Sequence, residues 1–371
     1  MQIKSQKPVD GFFLGLILTL LLVGIVAFVS ASLGVLAKNE TKFYGIIFSQ
    51  LVLGLGGGLV GMFVVSRIHF TWFKKYAPHI LAATILSMIL VFVPGLGFAH
   101  GGARRWVAFG PITFQPAELL KIGCVLYFAA WLGWAKQRVS DFRFGILPLV
   151  VLLMVSAGLL FVQPDTKSFI LILVAGTSML FVSGVPIKYL VGVTVIGTLV
   201  LGTLVFFTPY LQARVKTFIN PAQDQSGSSY QLKQSLIAIG SGGMFGRGLG
   251  QSVQKFSYLP EPQGDSIFSV IGEEFGFVGC LVVLLLYLMF AFRGFRIAHR
   301  APDQFSRFAT IGIVVLITTQ SFLNIASITG VFPLTGVPLV FMSQGGTSLL
   351  FSLLSVGFIL NVSRYQKKPA E

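Results

Sequence analysis

Long apolar runs separated by short polar stretches fill most of the chain. They fall at about residues 12–35, 43–66, 78–97, 115–135, 145–162, 168–184, 189–208, 266–292, 306–328 and 346–363, and each is near the roughly 20 residues that carry an α-helix across a hydrocarbon layer of about 30 Å. A helix satisfies its backbone polar groups within its own segment, so the pattern predicts an all-α, polytopic integral membrane protein. Ten transmembrane helices in a single membrane domain over residues 1–371 are expected. The first run follows Lys4 and Lys7 and ends near a weakly signal-like Val29-Ser30-Ala31. It is longer than the about 7–15 apolar residues of a signal peptide and reads as an uncleaved anchor.

Composition agrees: 54% of the 371 residues are hydrophobic and 11% charged. The formal net charge of +15 suggests an anionic partner, but the Lys and Arg residues lie between apolar runs and form no basic stripe. This argues against nucleic acid. They serve instead as topology signals. Lys4, Lys7, Arg67, Lys74, Lys75, Lys136, Arg138, Arg143, Lys188, Arg293, Arg296, Arg300, Arg307, Arg364, Lys367 and Lys368 share one side of the ten-span path, and that side is expected to be cytoplasmic, with both termini. The short loops on the opposite face hold Lys38, Lys42, Arg104, Arg105 and Lys167.

Cys124 and Cys280 lie inside apolar runs and read as small buried hydrophobes. His69, His79, His100 and His299 are scattered, without the spacing of a zinc site. No metal cage built by the chain alone is expected.

The segment at residues 209–264, between the seventh and eighth spans, is too long for a plain connector and is expected to form an outer binding surface. Leu232, Leu236 and Ile237, followed by the glycine-rich stretch to Gly250, predict a short amphipathic helix in the membrane interface and a glycine hinge. The uncharged, Gly- and Pro-rich stretch 329–348 is tolerable at membrane depth only when buried in protein or lining a cavity. It is expected to form one wall of a site.

Candidate chemistry gathers on the outer face. Pro260-Glu261-Pro262-Gln263-Gly264 forms a turn, and Asp265 then occupies the expected N-cap of a helix beginning at Ser266. Capping alone is the plain reading of that aspartate; a carboxylate fixed at a membrane surface for chemistry is the other. Pro116 suits a first helical turn, placing Glu118 and Lys121 three apart on one face as a pair. A structural ion pair and a group lining a polar cavity both fit them. Arg104 and Arg105 stand in the neighbouring loop with donor geometry suited to phosphates, and with Lys121 are candidates to hold a diphosphate. Glu273 and Glu274 lie deeper than Asp265, so structural hydrogen bonds or ion pairs are expected of them. Capping is expected of Asp165.

Gly102-Ala-Arg-Arg-Trp106, Gln115-Pro-Ala-Glu-Leu-Leu-Lys121, Gln163-Pro-Asp165, Gln234 to Gly250, Tyr258 to Gly276 and Thr329 to Ser348, taken in this order across ten spans, resemble the SEDS family, whose members FtsW and RodA polymerise the glycan strands of peptidoglycan. Ser252-Val-Gln-Lys255 before Leu259-Pro-Glu261 is more similar to the division branch than to the elongation branch. The resemblance implies an inverting glycosyltransferase of the bacterial inner membrane acting on lipid II. It makes Asp265 the essential carboxylate and Arg104, Arg105, Glu118, Lys121, Lys255, Glu261 and Ser343 the substrate-binding residues. It also implies a divalent cation, Mg or Mn, with the substrate diphosphate, a class B penicillin-binding transpeptidase as partner, and other divisome or elongasome membrane proteins. Several positions depart from the family pattern: Gln263-Gly264 replaces His-Thr, Ser266 replaces Phe, Thr166-Lys167-Ser168 replaces Leu-Gly-Thr, and Gln344 replaces Tyr. A lipid II flippase and a catalytically inactive scaffold are the alternative readings, since intramembrane Glu118, Lys121, Glu273 and Glu274 equally suit a pathway.

Overall fold

Asp10 starts the first helix, α1 (Gly11–Leu36), by accepting the Phe13 N–H at 2.9 Å, and its carboxylate also pairs with Arg293 at 2.7 Å. The computed structural model describes residues 8–100, 103–109, 112–220 and 227–366. The chain continues through α2 (Phe43–Arg67), widened to π-helical geometry over Ser49–Gly56, and α3 (Phe70–Leu90). After a small sheet come α4 (Pro116–Ala135), α5 (Phe142–Val162), α6 (Thr166–Ser183) and α7 (Ile187–Phe207). The long connection contains α8 (Pro209–Ile219) and α9 (Ser228–Ser241). The chain closes with α10 (Ile267–His299), α11 (Gln304–Ile328) and α12 (Gly346–Arg364).

Among the described residues, nine helices are long and apolar enough to cross a membrane: α1, α2, α4 to α7, and α10 to α12. This is an integral membrane protein. The expected third span, 78–97, is displaced. The side chain of His69 accepts the Thr71 N–H at 3.3 Å, so α3 begins at Phe70 and carries Lys74, Lys75 and His79 in its first half. Those polar residues keep it out of the nine.

A second departure is β structure where an all-α fold was expected. β1 (Gly97–His100), β2 (Ala103–Phe109) and β3 (Ile112–Phe114) form an antiparallel sheet in the order β1-β2-β3. Trp106 lies opposite Phe98 and Arg104 opposite Ala99, which leaves Arg105 as the extra residue of a β-bulge. A bulge re-aims the side chain it carries. Gly101, Gly102 and Gly110 lie outside the described residues, as do Lys4, Lys7, Lys367 and Lys368.

One contiguous apolar core joins side chains from the long helices. α4, α11 and α12 are the most buried of the nine and α7 the least. The expected amphipathic helix exists as α9 and packs along α10. α10 is broken at Gly276, whose φ of 67° and ψ of −162° no other helical residue there shares. The broken turn is closed by the glycine segment after α9: Glu273 O and Glu274 O accept the N–H groups of Arg247 and Gly248 at 3.0 Å, while Phe277 N donates to Gly243 O at 2.9 Å and Val278 N to Met244 O at 3.1 Å. The expected hinge is thus a hydrogen-bonded plug, placed about 14 Å along α10 at 1.5 Å per residue.

Candidate functional site

The turn before α10 sets the site. Glu261 adopts a left-handed φ of 45°; Gly264 N donates to Glu261 O at 2.9 Å and Ser266 N to the same carbonyl at 3.4 Å. With the chain entering through this turn, Ser266 rather than Asp265 becomes the N-cap, and it makes no side-chain capping bond. The expected capping role of Asp265 is therefore corrected. Its carboxylate is engaged from another element: Oδ1 accepts the side-chain amide of Gln231, from α9, at 3.0 Å.

Four further elements converge on Asp265. Asn324 of α11 donates to the Asp265 carbonyl at 2.7 Å and to Val337 O at 2.7 Å, joining the aspartate to the 329–345 segment. Within that segment Gly336 has a φ of +63°, and a Cβ placed on it would stand 3.6 Å from Asp265 Oδ2 and 3.4 Å from Arg214 Nη2. The left-handed φ is what calls for glycine here. Arg214 of α8 lies over the Tyr210 ring at 4.5 Å and donates from Nη1 to Leu334 O at 2.6 Å. Lys167, in the first turn of α6, donates from Nζ to Gly336 O at 2.8 Å.

Burial pushes the Asp265 carboxyl up from its ordinary value. The positive charge of Lys167 opposes this, Glu261 adds to it, and Arg214 and the Gln231 hydrogen bond again oppose it. The balance remains upward, which suits a carboxylate that accepts a proton. Around it Arg214 Nε, Gln263 Oε1 and Asn324 Oδ1 are buried without a protein hydrogen-bond partner. Buried polar atoms are nearly always satisfied, so this niche has unused capacity to bind a polar ligand.

The other expected site residues divide. Glu118 and Lys121 do pair, at 2.9 Å; Lys121 also donates to Gln320 Oε1 at 2.8 Å, Gln320 Nε2 to Pro338 O at 3.3 Å, and Ser348 Oγ to Glu118 Oε2 at 3.3 Å. They brace the 329–345 segment from behind. Arg105, aimed by its bulge, donates to Gln163 O at 3.0 Å and Pro164 O at 2.5 Å, whereas Arg104 is exposed. Of the two arginines, Arg105 is the one bonded to the 163–164 turn. Glu261, exposed, lies beside Asp265 and accepts from Gln263 at 3.3 Å.

Lys255 and Ser343 are not brought to the cluster. Lys255 Nζ donates to Ser30 Oγ at 2.9 Å, Gly250 O at 2.9 Å and Glu274 Oε1 at 2.6 Å, so its three N–H donors are taken. The substrate-binding expectation for Lys255 is corrected to a buried ion pair. Ser343 Oγ accepts the Leu339 N–H at 2.8 Å and fixes its own loop. Glu273 accepts from Ser252 Oγ at 2.6 Å and Val253 N at 3.0 Å, the structural role expected of it. Asp165 caps α6 through Ser168.

Arg214, Gln231 and Asn324 are not among the expected site residues; Gly336 falls in the 329–348 stretch expected to form a wall, and Lys167 figures only as an outer-loop cation and in the departure from the family pattern. A polar Asn324 inside an apolar span is the one of these that sequence signals mark, since such residues tend to be functional. A cavity of about 340 Å³ lined by Leu81, Ile85, Tyr127, Trp131 and Arg143 shares no residue with this cluster. Among the described residues no group of three or more His, Cys, Asp or Glu converges.

Residues 12–368 match the family model of the FtsW/RodA/SpoVE cell cycle proteins. The chain is 36% identical over 369 residues, 99% of its length and 100% of the relative's, to stage V sporulation protein E of Bacillus subtilis (strain 168). It is 38% identical over 340 residues, 92% and 89% of the two lengths, to a probable peptidoglycan glycosyltransferase FtsW of Trichlorobacter lovleyi. Among solved structures it is similar to a chain of a peptidoglycan synthase complex that coordinates polymerization and crosslinking, with a TM-score of 0.79, 28% identity and coverage of 97% and 99%. It is also similar to the rod shape determining protein RodA of Thermus thermophilus, with a TM-score of 0.71, 28% identity and coverage of 97% and 98%.

Proposed function

This chain belongs to the FtsW/RodA/SpoVE family, and we propose from that premise that it is an inverting glycosyltransferase that polymerises lipid II into peptidoglycan glycan strands, with Asp265 as its general base. The observation that carries the assignment is the Asp265 carboxylate itself: held by Gln231, free of any capping duty, raised by burial, and set among unpartnered polar atoms.

The chemistry follows from those groups. Asp265 takes the proton from the 4-hydroxyl of the acceptor sugar as that oxygen attacks the anomeric carbon of the donor. The new glycosidic bond forms on the face opposite the departing undecaprenyl diphosphate, so the anomeric configuration inverts. Negative charge grows on the diphosphate as it leaves, and Arg214 meets it with a fixed planar guanidinium. Arg104 draws the same group in from the exposed sheet. Arg105 and Glu118–Lys121 hold the walls: the first fixes the 163–164 turn, the second braces the 329–345 segment. Glu261 borders the acceptor side.

A divalent cation, Mg or Mn, accompanies the substrate rather than a cage of side chains. Such an ion would be held through the phosphate oxygens of the substrate; among the described residues no set of three ligating side chains converges.

The span count of ten includes α3, whose 21 residues reach about 31 Å at 1.5 Å per residue. With both termini cytoplasmic, the 209–264 segment and Asp265 face outward from the inner membrane, where the basic-residue asymmetry supports them. The whole chain acts as one membrane domain. Crosslinking in the related synthase complex supports a class B penicillin-binding transpeptidase as partner, within the divisome if the FtsW-like 252–261 stretch is a guide, and otherwise in the elongasome. The flippase alternative loses its main support, because Glu118, Lys121, Glu273 and Glu274 are paired and buried rather than arrayed along a path.

The test is to incubate the purified protein, with its transpeptidase partner, with lipid II and Mg²⁺ and to resolve the products by size. Glycan polymer is the expected result. Folded complex that moves lipid II across a vesicle bilayer yet makes no polymer would overturn the proposal in favour of transport.

A further inference from the structure

Lys167 occupies a place that helix capping does not explain. Asp165, two residues before it, is engaged by Ser168 and Gln115, and no ion pair joins it to Lys167 among the described residues. The ammonium reaches instead across to the 329–345 segment and bonds Gly336 O at 2.8 Å. Gly336 in turn presents its bare Cα between Arg214 and Asp265, with the position of a Cβ 3.6 Å from Asp265 Oδ2. Lys167 is therefore linked to the surroundings of the carboxylate through the Gly336 peptide.

We propose that Lys167 is a positioning residue for the transfer reaction: it clamps Gly336 beside Asp265 and contributes the positive charge that keeps Asp265 ionised and ready to accept a proton. This rests on Asp265 acting as the base. The charged groups facing the aspartate are Glu261 from its own turn, Lys167 from α6 and Arg214 from α8; Gln231 of α9 and Asn324 of α11 are neutral, and residues 329–345 carry no charge. Among these neighbours Lys167 acts most strongly on Asp265. The two remaining N–H donors of Lys167 have no protein partner among the described residues.

The experiment is the pH profile of kcat/KM for lipid II polymerisation by the full complex, for the parent and for Lys167→Met, Lys167→Gln and Lys167→Arg. Removing a cation near a carboxylate makes ionisation harder. The acid limb of Lys167→Met and Lys167→Gln should move to higher pH, with activity about tenfold lower on that limb and recovering as pH rises. Lys167→Arg should restore the parental limb. Gln retains a donor for Gly336 O, so it separates charge from clamp if Met fails to fold. A limb that stays put in both neutral variants, or a loss equal at every pH, overturns the proposal. Asp265→Asn in the same assay separates the two readings: if it is inactive while the limb stays put, only the role of Lys167 fails, and if it is active the base assignment fails first.

Discussion

Gln231 Nε2 donates to Asp265 Oδ1 at 3.0 Å and to Ser266 Oγ at the same distance. One amide from α9 thus fixes both the carboxylate and the first residue of α10, and ties the long outer segment to the site. Gln231→Ala should lower kcat by about 10- to 100-fold, the upper figure being the cost of misplacing a reacting group by about 1 Å, while the protein still folds. Unchanged kinetics would show that Asp265 is held by other means.

The buried pair Lys255–Glu274, at 2.6 Å with side chains 0% and 1% exposed, predicts a stability effect rather than a loss of substrate binding. Lys255→Met strands a carboxylate and should destabilise the protein by about 3–5 kcal/mol. Lys255→Met combined with Glu274→Leu should recover much of that loss. Thermal unfolding in detergent measures both; a single variant as stable as the parent would contradict the pairing.

Gly276→Ala probes the plug. A Cβ there would lie 2.4 Å from Gly246 N and 2.6 Å from Met244 O, both backbone atoms, at a φ of +67°. Strain of this kind costs about 1–3 kcal/mol even before the clash is counted, so a lower unfolding temperature is expected. A neutral substitution would mean that the break in α10 is absent.

These effects separate what the amino-acid pattern reveals from what it hides. Apolar length alone marks α1, α2 and seven later spans, because hydrocarbon thickness sets helix length. It misplaces α3, where a cap and two lysines override hydropathy, and it misses the sheet, whose outer strands β1 and β3 have only 4 and 3 residues. The Glu118–Lys121 pair is legible from its i, i+3 spacing. The companions of Asp265 are not: Arg214, Gln231 and Gly336 come from three separate segments brought together by tertiary packing. Lys255 misleads for the opposite reason, since its neighbours in sequence belong to a recognisable motif while its ammonium points into the core.

Stability and activity should respond to pH in opposite senses at Asp265. Burial raises its carboxyl in the folded protein, so folding favours the protonated form. The resulting contribution to stability is fully present below the ordinary carboxylate value and is lost as pH rises through the raised one, just where the base becomes active. Asp265→Asn removes this penalty, so above that range the variant should melt at or above the parental temperature. A variant that melts lower at neutral pH would contradict the sign.

The most direct measurement is glycan synthesis by purified Asp265→Asn in complex with its transpeptidase, given lipid II and Mg²⁺ beside the parent. The amide keeps the size of the side chain and an oxygen for Gln231 but cannot take up the acceptor's proton. Polymer should be absent although the complex forms and melts normally. Glycan made at the parental rate would contradict the assignment of Asp265 as the general base.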